Sequence, residues 1–500
     1  MGVLSHLTLF NRGEWHMQAP NLVWCYLFLT LAIFCALEYV GDEMQQSFRA
    51  TVFISSSYAA GTLTSIVIFR KCFHRLRHYP GPWLAGVTKF WHVWKCRSGQ
   101  NHLVLERLRK QYGPIIRTGP EELTIIDTLV LSAMDGPGNK CTKALAINTT
   151  RSKACHGFSS KVLEVYEARV AEYANMLQAR IEELASQKMP VNDVMGEFAF
   201  SRSFGMLKDQ KWHFAPRLMR KAMTLLGPFS PVPWLAQIAF YITPWMFIVR
   251  DWFAMTAWCK QRMSERIQMK GRLHDVSHWL IDASLKSGSL EADREWLNGD
   301  AITIIIAGSD TIAPTLVFAF YELARNPEQQ DKLLAELESV HINNFRQLQQ
   351  CAHVNAIINE TLRLHPPVPT GGYRQTPPCG LHIGNTYIPG GVTVVSPRYS
   401  LARLDLAYKE PGSWVPERWT TRPDMVRDAG AFAPFAQGKF NCVGKNLAMS
   451  EMRLVIAILV KRFRIGFSPS GDKGEMLFRD MGDYFTAAPG RFDLMFHIRT

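Results

Sequence analysis

The sequence predicts a mainly α-helical protein with small β-sheets, tethered to a membrane by its N-terminus. Three observations predict it. Apolar residues recur at helical spacing, with charges between them, through stretches such as 161–188. Strand-like pieces appear only late, at 386–397 and 491–499. Two apolar runs, 22–37 and 50–69, precede everything else.

Composition sets the limits. A chain of 500 residues, 47% hydrophobic, can bury a large core. The net charge of +13 permits nucleic acid, anionic lipid or an acidic partner. No Lys/Arg block is interleaved with aromatics, so a nucleic-acid partner is not expected. Ten cysteines without a C-x-x-C pair are too sparse for a disulfide framework and point to a reducing compartment.

Taken in order, the anchor comes first. The run 22–37 is slightly short of a full span. The run 50–69 has the length but is diluted by Ser55, Ser56, Ser57 and Gly61. Glu38, Asp42 and Glu43 lie between them, and Arg70, Lys71, Arg75 and Arg77 follow. The positive-inside rule assigns that basic stretch to the cytosol. Two passes with an acidic lumenal turn fit, and so does one span plus an interfacial helix. A cleaved signal peptide fits less well, because a second apolar run with a basic stop favours retention. Residues 1–78 are read as a membrane anchor and 79–500 as one folded domain.

"YPGPW" at 79–83 reads as a stiff, non-helical hinge between the two. Residues 234–258 are rich in aromatics and suit a membrane surface or a core equally. Residues 296–325 form a long helix candidate in spite of Gly308 and Pro314. Asn326–Pro327 should end it.

Four motifs carry chemistry. Cys442 stands between Gly438 and Gly444 in "PFAQGKFNCVGKNLA", ahead of a helix candidate at 445–462. A thiolate is a strong metal ligand, and glycines let backbone N–H groups approach its sulfur. The alternative is a buried structural cysteine. A phosphate loop is excluded: five residues separate the glycines, and Asn446 stands where Ser or Thr is needed. Glu360 and Arg363 share one helix face, three residues apart, ahead of a proline-rich extension. The same spacing at Glu106/Arg109, Glu291/Arg294 and Glu322/Arg325 reads as ordinary surface pairing. Arg418 in "WVPERW" can add a second guanidinium to Glu360. Asp310 and Thr311 in "AGSDTIAP" place an acid and an alcohol inside an apolar helix, which suits proton delivery. A solvent-facing Asp with a back-bonded Thr is the plainer reading.

Together these residues resemble the cytochrome P-450 family, the haem-thiolate monooxygenases, over essentially the whole chain from Tyr79. The cysteine signature is matched by Phe435, Gly438, Cys442 and Gly444, the Glu-x-x-Arg by Glu360 and Arg363, and the Pro-Glu-Arg segment by Pro416, Glu417 and Arg418. The oxygen-activation motif is matched by Ala307, Gly308, Asp310 and Thr311. Two departures stand out. Phe440 occupies a position, two before the cysteine, where the family often has a base contacting a haem propionate. Ile312 stands where Thr or Ser is commonly repeated. The resemblance then assigns the propionates to Arg151 and Arg374, although the aromatic usually four before that first arginine is Ile147.

The resemblance implies the cytochrome P-450 fold, with haem b between a long central helix and the loop of Cys442, its axial ligand. It implies a monooxygenase in which Asp310 and Thr311 deliver protons while Glu360, Arg363 and Arg418 form a structural triad. Ala307, Val368, Thr370, Tyr484 and Phe485 are the expected pocket residues. The chain carries no dinucleotide fingerprint. NADPH and flavins are therefore expected only through a membrane-bound NADPH–cytochrome reductase, docking near Lys439, Lys445, Lys461 and Arg462. Other expected partners are O2, membrane lipid and a small hydrophobic substrate, with the catalytic domain on the cytosolic side of the endoplasmic reticulum. The anchor, "YPGPW" and the tail resemble fungal microsomal members, many of which tailor secondary metabolites such as terpenoids, polyketides or alkaloids. A haem-thiolate isomerase or dehydratase and a non-enzymatic haem protein are the alternatives. The sequons at Asn148 and Asn359 are read as unglycosylated.

Overall fold

The computed structural model describes residues 1–11, 15–41, 43–143, 160–186, 191–192, 214–229, 232–269, 276–469 and 471–499. Arg151, Ile147 and Asn148 lie outside the described residues. The principal helices are α1 (Ala19–Val40), α2 (Met44–Ile68), α3 (Ser160–Ser186), α4 (Pro233–Ile242), α5 (Phe247–Gln268), α6 (Arg294–Arg325), α7 (Pro327–Leu337), α8 (Ala352–Leu364) and α9 (Lys445–Arg462).

α1 is longer than the apolar run that announced it. Its 22 residues reach about 33 Å, enough for a bilayer core. Leu27, Phe28, Leu29 and Leu31 are exposed on it, as lipid-facing residues would be. α2 and the π turn that follows make a second apolar helix of span length, Met44–Phe73. The two are tied by Tyr26, whose hydroxyl donates to the Ser55 carbonyl at 3.1 Å. The helix α6 also has the length and apolarity of a span. Its second half is packed inside the domain instead, with Leu316, Phe318, Phe320 and Leu323 fully buried.

The expected hinge is clamped. The Arg117 N–H donates to the Pro80 carbonyl at 2.7 Å, and Arg117 Nη1 donates to the Arg70 carbonyl at 3.1 Å. Arg70 in turn reaches the Val87 carbonyl at 2.6 Å, and Arg75 pairs with Glu121 at 2.8 Å. Gly81 is needed here, because a Cβ would meet the Arg117 carbonyl oxygen at 2.5 Å. Two prolines stiffen the segment, but these contacts fix its direction.

Among the described residues, twelve strands build four small sheets: β1 (Ile115–Gly119), β2 (Glu122–Ile125), β3 (Thr142–Lys143), β4 (Val191–Asn192), β5 (Tyr373–Gln375), β6 (Leu381–Ile383), β7 (Thr386–Ile388), β8 (Thr393–Val395), β9 (Phe463–Phe467), β10 (Gly482–Tyr484), β11 (Thr486–Ala488) and β12 (Asp493–Ile498). The largest has the order β1-β2-β8-β5-β3, with β2 and β8 parallel and the other pairs antiparallel. The late stretch 386–397, expected as one strand-like piece, is split between two sheets as β7 and β8. Pro389, Gly390 and Gly391 break it.

The core lies where α3, α6, α7, α8 and α9 meet, with Ile312, Leu316, Leu333, Ile357, Val455 and Leu459 buried in one cluster. The aromatic stretch 234–258 becomes α4 and the start of α5, leaving Tyr241, Trp245 and Met246 exposed at their junction. Buried Gln330 stitches α7 to β9. Its Nε2 donates to the Leu323 and Ile465 carbonyls at 2.7 and 2.8 Å, and its Oε1 accepts from the Ile465 N–H at 2.9 Å. Gln330→Leu strands these backbone groups. It should lower stability by about 2–3 kcal/mol, read by thermal or chemical unfolding.

Candidate functional site

The cysteine loop is built backward from α9. Gly444 caps that helix, which starts at Lys445 as the sequence predicts. The Cys442 N–H donates to the Phe435 carbonyl at 2.8 Å, closing the loop on itself. Phe435 packs half-buried against the main core and so fixes the loop's base. Gly438 has φ 55°, and a Cβ on it would meet the Asp135 carbonyl oxygen at 2.3 Å. Only glycine fits a left-handed conformation at that distance. The thiol of Cys442 is exposed on one side. Crowding by protein on its other sides raises its pKa, while the Gly444 and Lys445 N–H groups that reach the sulfur oppose the rise.

Behind the loop, Glu360 is buried and fully satisfied. Its Oε1 accepts from Arg363 Nη2 at 2.8 Å, the Val415 N–H at 2.8 Å and Arg418 Nε at 2.9 Å. Its Oε2 accepts from Arg363 Nε at 2.9 Å and Trp419 Nε1 at 3.0 Å. The remaining guanidinium N–H groups go to carbonyls, including Ala402 and Pro411 for Arg363 and Lys409 and Met425 for Arg418. Tyr408 lies beneath both guanidiniums, 4.9 and 5.7 Å from them. Trp419 closes the cluster, and its ring meets Phe432 at a tilt with centroids 4.4 Å apart. The spacing Glu-x-x-Arg misleads elsewhere. Glu322 is buried and pairs with His365 at 2.7 Å, so it is no surface residue.

In α6, Ala307 and Gly308 are exposed although the second half of the helix is buried. A Cβ on Gly308 would meet nothing within 4 Å, so the helix borders open space there. Burial pushes the Asp310 carboxyl up to about 6, against weaker opposing contributions from Ser309 and Arg220. The Thr311 hydroxyl donates to the Ala307 carbonyl at 2.7 Å. Pro314 has no N–H for the Asp310 carbonyl, the acceptor four residues back. The helix continues because its second half is held in the core. Ile312 belongs to that core, so it faces packing rather than the opening.

Besides Ala307 on α6, the expected pocket residues fall into two neighbouring segments. The Ala487 N–H donates to the Pro367 carbonyl at 2.9 Å, which brings Val368 beside the β10–β11 hairpin carrying Tyr484 and Phe485. Phe485 sits at the hairpin tip with φ 74°. Thr370 is buried, its hydroxyl donating to Asp483 at 2.5 Å and accepting from Asn101 at 3.1 Å. Arg374 lies over the Phe440 ring at 4.1 Å and pairs with Asp135, an acid that sequence reasoning missed. Lys439 and Lys445 are exposed near Cys442. Lys461 and Arg462 are not near it: they close α9, about 24 Å along its axis from Lys445. Lys461 donates to the Leu337 and Val340 carbonyls, and Arg462 pairs with Glu182.

These residues fit a haem. Cys442 is exposed and its sulfur takes two backbone donors, the central helix has an open stretch, and the arginines Arg374 and Arg398 cluster on the loop's flank. Glu360→Gln, by contrast, removes no group that would touch it. That change leaves two buried guanidiniums around a neutral amide, a loss of about 3–5 kcal/mol. Little folded, haem-containing protein should accumulate, and an unchanged melting temperature would contradict this account of the cluster.

Comparison with known proteins agrees with this geometry. The Cytochrome P450 family model matches residues 142–494. Tryprostatin B 6-hydroxylase of Neosartorya fischeri is 32% identical, with 95% of this chain and 92% of the relative covered. Cytochrome P450 monooxygenase notG' of Aspergillus versicolor is 34% identical, with 97% of this chain and 94% of the relative covered. The crystal structure of the cytochrome P450DA heme domain shares the fold, with a TM-score of 0.65 at 18% identity, covering 80% of this chain and 94% of that one.

Proposed function

This chain belongs to the cytochrome P450 family, and on that premise we propose a membrane-anchored monooxygenase that inserts one oxygen atom from O2 into a small hydrophobic intermediate of secondary metabolism, a terpenoid, polyketide or alkaloid. The observation that carries the proposal is an exposed thiol, Cys442, in a chain whose central helix opens beside an acid–alcohol step, Asp310–Thr311.

Haem b, when bound, supplies the iron at which dioxygen is activated. The side chains do the rest. Cys442 would hold the iron as a thiolate, and the N–H groups of Gly444 and Lys445 would temper its donation. Asp310, with its carboxyl near 6, takes up and releases a proton close to neutral pH. Thr311 passes the proton on by turning its hydroxyl away from the Ala307 carbonyl. The Asp310 carbonyl, freed by Pro314, is an acceptor for a water on that route. Ala307 and Gly308 leave room for substrate, and Val368, Tyr484 and Phe485 wall it.

Electrons come from an NADPH–cytochrome reductase, with Lys439 and Lys445 meeting its acidic face. α1 and α2 cross the endoplasmic reticulum membrane as a hairpin with an acidic lumenal turn and a cytosolic catalytic domain. Tyr241, Trp245 and Met246 lie on the bilayer surface.

Turnover under labelled O2 with reductase and NADPH should place one labelled oxygen in the product. Product formed without NADPH would favour the isomerase instead. Asp310→Asn should lower product formation by about 10²-fold. It should also remove the limb of the pH profile that falls as pH rises through about 6, where Asp310 loses its proton. Lys445→Glu should slow reduction by the reductase in a salt-dependent way, and an unchanged rate would remove Lys445 from the docking face.

A further inference from the structure

Three ionised side chains meet on the flank of the cysteine loop. Arg374, on β5, grips Asp135 with Nε at 2.7 Å and Nη2 at 3.2 Å. Arg398, just past β8, brings its Nη2 to 3.8 Å from the same carboxylate. Two cations therefore share one anion, and Asp135 is only 1% exposed. The cluster touches the loop twice. The Arg374 guanidinium lies 4.1 Å over the Phe440 ring, and Gly438 rests against the Asp135 carbonyl.

The cluster is incomplete. Nη1 of Arg398 is buried and donates to no acceptor among the described residues. A buried guanidinium N–H without a partner is costly, and here it belongs to the group that carries the excess charge. Burial, with Arg374 adding to it, lowers the Arg398 pKa to about 10 against the pull of Asp135, so the guanidinium stays charged. One added carboxylate would satisfy both the donor and the charge, because a planar guanidinium matches carboxylate geometry. Phe440 cannot supply a cation from the loop itself.

We propose that Arg398 is the principal donor to a porphyrin carboxylate, and that Asp135 and the Phe440 ring hold Arg374 and Arg398 in place for it. The proposal rests on the haem-thiolate reading. Asp135 acts as an internal counter-ion: it keeps two like charges side by side until the cofactor's carboxylates arrive.

The test uses the full-length protein in detergent, as parent, Arg398→Gln, Arg398→Lys and Asp135→Asn. Three quantities are read: haem transfer to apomyoglobin, the ferric–ferrous potential and the CO-bound spectrum. Arg398→Gln should lose haem at least tenfold faster and move to a lower potential, because a positive charge beside the porphyrin is gone. The haem it retains should keep the parent's CO band, and Arg398→Lys should recover part of the haem retention. Asp135→Asn should move the potential upward, and this decides the matter if Arg398→Gln does not accumulate. A parent with a thiolate-type CO band and an Arg398→Gln variant with parental haem transfer and potential would overturn the proposal alone. So would an Arg398→Gln variant impaired only in the spectral response to lauric acid, because the guanidinium would then serve a ligand carboxylate. A parent without a thiolate-type band would overturn the haem-thiolate reading itself.

Discussion

The buried carboxylate of Glu360 is the constraint on which the rest of the architecture depends. It accepts from two guanidiniums, one indole and one backbone amide, all out of water. Desolvating so many charges is unfavourable unless every donor finds an acceptor, and here the neighbouring carbonyls take up the remainder. The consequence is directional. The carbonyls come from 402–413 and 425, so the long stretch between β8 and α9 is wound around the charge cluster. Trp419 then hands position on to Phe432, and the chain enters the cysteine loop from a fixed point.

A second constraint acts from the other side. α6 is held in the core by its second half and borders open space at Gly308, so one helix serves as both core and cavity wall. Pro314 lies at the transition. It removes a hydrogen bond where the helix would otherwise close over Asp310, and the packed half supplies the stability that this costs. The N-terminal end is also determined rather than loose. Arg117 receives the basic stretch after α2 and joins it to the first sheet, which fixes where the two N-terminal helices leave the domain.

What was legible in the sequence follows from what is local. Helix α9 could be read to its ends because Gly444 starts it and the apolar pattern is continuous. The Glu360–Arg363 pair was legible because a proline-rich extension follows it, and the loop of Cys442 because glycines frame it. The partner in an ion pair was not. Nothing near Glu322 announces His365, and nothing near Arg374 announces Asp135, because chain segments 43 and 239 residues apart meet only after folding. Arg398 sits in an unremarkable turn and gains meaning only from that meeting. Lys461 and Arg462 were misplaced for a related reason. Closeness in sequence to Cys442 was taken for closeness in space, and a straight helix carries them away. Ile312 looked like a lost hydroxyl, whereas its position on the helix turns it into the core.

The central claim is that Cys442 ligates haem iron as a thiolate. The most direct measurement is the carbon monoxide difference spectrum of reduced membranes containing the full-length chain. The account predicts the red-shifted Soret band of a thiolate trans to carbon monoxide. A shorter-wavelength band, or no haem band in protein shown to be folded, would contradict it.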